Sequence, residues 1–114
     1  MKVPAAVTRA ARAALDKKAA EVVVLDLRKQ AAFTDFFVVA SAANQKQLLA
    51  VADAVQETMR EQGLRPKHVE GYPRQEWVLL DYSGFVVHIF TQRMRLFYDL
   101  ERLWGGARRM EVTA

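Results

Sequence analysis

Cysteine is absent, which excludes disulfides and thiolate-held metal and makes a reducing compartment the natural setting. Glycine is scarce, five in 114 residues, and apart from Gly105-Gly106 each stands alone. No loop can then cradle a phosphate, and no dinucleotide fingerprint exists. The two histidines, His68 and His88, lack the i, i+4 spacing of a helical zinc site. There is no Gly-x-Ser-x-Gly elbow, and Ser41 and Ser83 have no evident base beside them. No apolar run approaches the roughly 20 residues of a membrane span, so a soluble protein without membrane contact is expected. These absences favour a binding module without cofactor, metal or catalytic residues.

What is present is an ordinary globular composition, 52% hydrophobic and 26% charged, in a chain long enough for one cored domain and too short for two. The formal charge of +4 is spread thinly, and basic residues never run beyond pairs such as Lys17-Lys18 and Arg108-Arg109. That balance permits work near nucleic acid without demonstrating it. The Ala-rich start, with Arg9 and Arg12, has the composition of an organelle transit peptide. It fits an amphipathic first helix better, because it leads directly into a strand.

The stretch Glu70 to Trp104 carries the best hairpin and most of the aromatic surface. Two apolar runs, Trp77 to Tyr82 and Phe85 to Phe90, flank Ser83-Gly84, where Gly is free to take a positive φ. A two-residue turn pairs Trp77 with Phe90, Leu79 with His88 and Asp81 with Val86. One face then carries Val78, Leu80, Tyr82, Phe85, Val87 and Ile89, the side to pack on the domain's own helices. The other carries Trp77, Leu79, Asp81, Val86, His88 and Phe90, which suits a second layer or a partner. Asp81 and His88 lie one diagonal apart, which favours a cross-strand hydrogen bond over partner recognition and, last, a catalytic dyad.

Along the chain, Ala5 to Lys18 read as a helix with Pro4 in its first turn, and Glu21 to Leu27 as a strand buried on both faces. Asp35 to Ser41 read as a second strand. Asn44 caps a helix that runs to about Gln62, with Gly63 closing it. Leu64 to Val69 form a short strand whose Pro66 argues for an edge. Gly71-Tyr72-Pro73 is a turn. Gln92 to Trp104 form one or two helical segments in which Phe97, Leu100, Leu103 and Trp104 are mostly core, and Gly105-Gly106 stop them. The order α-β-β-α-β-β-β-α gives a single α/β domain over residues 1–107, a mixed sheet of about five strands with helices packed on it, and a polar tail over 108–114.

The segments Val24-Leu25-Asp26-Leu27, Phe33 to Ser41, Val69-Glu70-Gly71, Trp77 to Tyr82, Val86 to Phe90 and Phe97 to Trp104 together resemble the Iojap-like family of ribosomal silencing factors. The resemblance covers about residues 5 to 105. It implies an α/β fold related to nucleotidyltransferases without their catalytic motif, and here Asp26 is indeed followed by Leu27 and Arg28. It further implies a cytoplasmic protein that binds the large ribosomal subunit through large-subunit ribosomal protein number fourteen, with neighbouring rRNA as a further contact. Occupying that surface blocks subunit joining and represses translation when nutrients are short. Where the family usually has Gly-Asp before Val at the hairpin turn, this chain has Ser83-Gly84-Phe85, which removes an acid near the partner surface.

Residues and resemblance meet on the second face of the hairpin. Trp77, Leu79, Asp81 and His88, with Gly71 and Tyr72 nearby and Arg95 and Tyr98 just beyond, form the expected partner-binding set. Two alternatives stand beside it. One is a nucleotidyltransferase-like, metal-dependent enzyme using Asp26 and Asp35; the other is a homodimer that buries the second face against its own copy.

Overall fold

The computed structural model describes residues 1–113. Twelve residues, Ala5–Asp16, form α1, whose buried side is nearly all alanine (Val7, Ala10, Ala11, Ala13, Ala14) and so lets the helix approach closely. Strand β1 (Ala20–Asp26) opens with a bulge between Ala20 and Val23. Every residue of β2 (Phe36–Ala42) is buried. Asn44, in extended conformation, accepts from the Gln47 amide and so caps α2 (Gln45–Glu61). Three short or medium strands follow, β3 (His68–Glu70), β4 (Trp77–Asp81) and β5 (Phe85–Thr91), then the short helices α3 (Gln92–Tyr98) and α4 (Leu100–Leu103).

The hairpin register is the expected one: Trp77 opposes Phe90, Leu79 opposes His88 and Asp81 opposes Val86. Its turn differs in detail. The positive φ falls on Ser83, at +73°, and not on Gly84. Asp81 Oδ1 accepts from the Ser83 amide at 2.8 Å, and the Tyr82 carbonyl accepts from the Gly84 amide at 3.0 Å. A carboxylate that ties down the turn thus holds a serine where glycine was expected.

The expected polar tail is a strand. Arg108–Glu111 form β6, antiparallel to β1, which makes the sheet six-stranded in the order β3-β4-β5-β2-β1-β6. Val112 extends the pairing by donating to the Val22 carbonyl. The alternation Arg109, Met110, Glu111, Val112 was the available signal, with Met110 and Val112 packed on the core. Three charged residues in four masked it, although charge is a usual property of an edge strand. The sheet is mixed because β2 runs parallel to β5 while its other pairings are antiparallel.

Both α1 and α2 lie on one face, over Val22, Val24, Val38, Ala40, Val78, Leu80, Val87 and Ile89. This is the face assigned to helices from alternation alone. The opposite face presents Val23, Leu25, Phe37, Val39, Val86 and Phe90, covered among the described residues by the short α3–α4 segment and a few large side chains.

Candidate protein-docking surface

The apolar sheet residues of the second face are buried except for Trp77 and Leu79, which are half-buried, and the segment that covers them is broken. Thr91 caps α3 by accepting from the Met94 amide at 3.4 Å, but Asp99 takes the left-handed conformation (φ 46°, ψ 56°) and ends the helix after seven residues. The chain turns there into the four residues of α4. Met94, Leu100 and Trp104 point to the sheet and are half-buried. Leu96, Phe97 and Leu103 are left 81%, 73% and 70% exposed, and Tyr98 43%. They line an open cleft of about 510 Å³ with Asp99 and Arg102. Phe97 and Leu103, expected in the core, are therefore at the surface. The helical stripe that grouped them assumed one continuous helix, and the break at Asp99 divides it.

Beside this cleft stands Trp77. Its indole stacks on Phe90 with ring centroids 5.0 Å apart and meets Tyr98 at 4.4 Å. Its Nε1–H donates to His88 Nδ1 at 3.1 Å. The imidazole itself is 3% exposed and meets Phe37 edge to face at 4.4 Å. Burial among apolar groups drives the His88 pKa down to about 3, so the ring is neutral, with its proton on Nε2. Aromatic surface thus runs unbroken from Trp77 through Tyr98 to Phe97, the last pair meeting edge to face at 5.1 Å.

The expected site residues separate into three groups. Trp77, Leu79 and Tyr98 are together on the second face and reachable from solvent. Asp81 is half-exposed on the same strand but makes its hydrogen bond to the turn, and the expected Asp81–His88 hydrogen bond is replaced by Trp77–His88. His88 and Arg95 lie beneath the surface. Arg95 spans the molecule: it donates to the Glu21 carbonyl at 2.5 Å, to Ser41 Oγ at 2.9 Å and through both arms of its fork to Glu101 at 3.1 Å. Tyr72 is on the opposite face, where its hydroxyl donates to Asp53 at 2.9 Å and accepts from Gln56 at 2.5 Å. Gly71 supports the site from behind, since its φ of +97° brings it against the Trp77 carbonyl.

Helical periodicity does not mark Leu96, Phe97 and Leu103 as surface residues. The signal was that Met94, Leu96, Phe97, Tyr98, Leu100, Leu103 and Trp104 are apolar on more sides than one sheet can cover.

The Asp26 and Asp35 pair has a different use. Both oxygens of Asp26 are engaged by the Arg28 guanidinium, at 2.9 and 2.6 Å. That fork holds its pKa at about 2. Asp35 is exposed, and its backbone carbonyl and amide join Leu27 and Gly84. Among the described residues, no three His, Asp or Glu side chains gather as a metal cage.

The fold and this surface define a compact α/β domain, with one sheet face closed by helices and the other topped by exposed aromatics. The model of the family described as "Ribosomal silencing factor during starvation" matches residues 1–114, and the chain belongs to that family. It is 39% identical over 97 residues to the ribosomal silencing factor of Halalkalibacterium halodurans, covering 85% of this chain and 83% of that protein. To the Bacillus subtilis ribosomal silencing factor it is 36% identical over 98 residues, 86% of this chain and 83% of that one. A crystal structure of a Chromobacterium violaceum protein superimposes with a TM-score of 0.87 at 31% identity, over 100% of this chain and 95% of the other.

Proposed function

We infer that the chain docks on the large ribosomal subunit through large-subunit ribosomal protein number fourteen, and silences translation by keeping the small subunit away. The observation that carries this reading is the continuous apolar surface of Trp77, Tyr98, Phe97, Leu96 and Leu103 on a member of the silencing-factor family. Large apolar patches on small proteins mark interaction sites, and Trp and Tyr dominate the energy of such sites.

Steric exclusion needs no chemistry from the chain. Contact between two subunits requires their atoms to approach within about 4 Å. A body measuring 35 × 33 × 27 Å seated on the joining face cannot be accommodated in that gap. Exposed Arg93 and Arg102 flank the patch and suit neighbouring rRNA phosphates. The protein is then a cytoplasmic repressor rather than an enzyme, acting when nutrients are limiting.

Phe97→Asp is the test, because a residue 73% exposed can be changed without disturbing the core. Wild type is expected to co-sediment with isolated large subunits, to bind purified protein fourteen and to prevent subunit joining, with all three lost in the variant. Undiminished binding by Phe97→Asp would move the interface elsewhere. No binding by wild type would overturn the reading. A dimer mass that Phe97→Asp reduces to a monomer would assign the patch to a second copy of the chain.

A further inference from the structure

We propose that His88 is a positioning residue for Trp77, setting the angle at which the indole meets an incoming protein without touching that protein itself. The inference rests on the docking role assigned to this face. Three observations support it. His88 is 3% exposed, so a partner cannot reach it. Its Nδ1 accepts the only polar hydrogen of the Trp77 side chain, at 3.1 Å. The indole is also gripped by Phe90 and Tyr98, at 5.0 and 4.4 Å between ring centroids.

Stacking alone leaves an indole free to slide and turn in its own plane, while the hydrogen bond fixes which edge faces inward. The N–H edge is turned to His88, so the surface left for a partner is carbon. No polar atom of Trp77 then has to be stripped of water on docking. The ordering cost of a large side chain has also been met before the partner arrives.

The bond is set by register as well as by residue type. Trp77 and Leu79 share a face of β4, and His88 lies opposite Leu79, so the imidazole reaches Trp77 along a diagonal. Among the described residues His88 finds no second partner: Asp81 Oδ1 accepts from the hairpin turn, and His88 Nε2 is enclosed without a hydrogen bond.

The experiment compares His88→Phe, which keeps the ring and removes the acceptor, with His88→Gln, which keeps an acceptor. Each is made in the wild-type and the Trp77→Phe backgrounds. Affinity for protein fourteen, the NMR signal and solvent exchange of the Trp77 indole N–H, and thermal stability are read together. His88→Phe is expected to release the indole N–H to rapid exchange and to weaken binding about tenfold. His88→Gln is expected to recover most of that loss. In the Trp77→Phe background, His88→Phe should change affinity less than about twofold, because there is no donor left to position. If His88→Phe does not fold, loss of binding in Trp77→Phe with retention in His88→Gln supports the proposal, and any other combination overturns it.

Wild-type affinity in a folded His88→Phe, or an equal loss with and without the Trp77 donor, would overturn the positioning role while leaving the docking surface intact. Absence of wild-type binding would instead remove the docking reading, and the positioning role with it, even with the indole N–H protected.

Discussion

A methyl group on residue 71 would lie 1.7 Å from the backbone oxygen of Trp77. The turn between β3 and β4 therefore closes only over a hydrogen, and the φ of +97° at Gly71 adds a second requirement for glycine. Gly71→Ala is expected to destabilise the fold by about 3 kcal/mol or more, since the obstacle is backbone that cannot turn aside. Urea denaturation of purified variant and wild type checks this, and an unchanged midpoint would mean that the turn rearranges at little cost.

Arg95 predicts a stability effect, although by sequence it looked like a contact residue. Its charge is enclosed, with a side-chain exposure of 7%, and Glu101, at 18%, is its carboxylate partner. Glu101 also reaches Arg109 at 3.2 Å, which joins α4 to β6. Glu101→Gln leaves the Arg95 charge without its counterion, and a loss of about 2 to 4 kcal/mol is expected. The measurement is thermal unfolding at moderate salt; a shift in Tm too small to resolve would show that Ser41 and the Glu21 carbonyl suffice.

Removing residues 108–114 tests the last strand. The deletion strips β1 of its edge partner and uncovers the apolar surface under Met110 and Val112. A loss of about 2 kcal/mol or more, with a tendency to aggregate through the opened β1 edge, is expected. Light scattering beside denaturation would detect both. A truncated chain as stable and monodisperse as the full one would return this segment to the status of a tail.

The pH dependence has a definite sign. His88 titrates near 3 in the folded chain against an ordinary value of 6.5, so between those values the unfolded chain binds a proton that the folded one refuses. Stability therefore falls as pH falls through that window, with a slope approaching about 1.4 kcal/mol per pH unit from this group. Asp26, held near 2 instead of 3.8 by Arg28, adds a loss in the same direction at still lower pH. Denaturation midpoints for wild type and His88→Phe at about pH 5 and pH 7 isolate the histidine. The wild type should lose more stability between the two, and equal losses would place the proton uptake elsewhere.

The surface residues predict the opposite balance of effects. Leu103→Asp, at a position 70% exposed, should leave unfolding within about 0.5 kcal/mol of wild type while weakening the docking described above. A large loss of stability would show that Leu103 carries more of the fold than its exposure indicates.

Local sequence pattern is enough for the alternation of β4 and β5, and with it the pairing of Trp77 with Phe90 and the choice of helix-covered face, because a two-residue turn leaves one register. It is also enough for α2, from the Asn44 cap to its end, since capping and helical periodicity are local. Side chains whose partners lie far away in sequence take their places from the packing of the whole chain. Arg95 is buried because Glu21 and Ser41, 74 and 54 residues distant, offer it oxygens. Tyr72 turns to Asp53 and Gln56 on α2, away from Trp77. The stretch 108–111 becomes a strand because β1 has an open edge there. Phe97 and Leu103 stay exposed on either side of the helix break at Asp99. Local pattern records which face a residue shares with its neighbours; which charges, hydroxyls and edges meet is set by the packing of the whole chain.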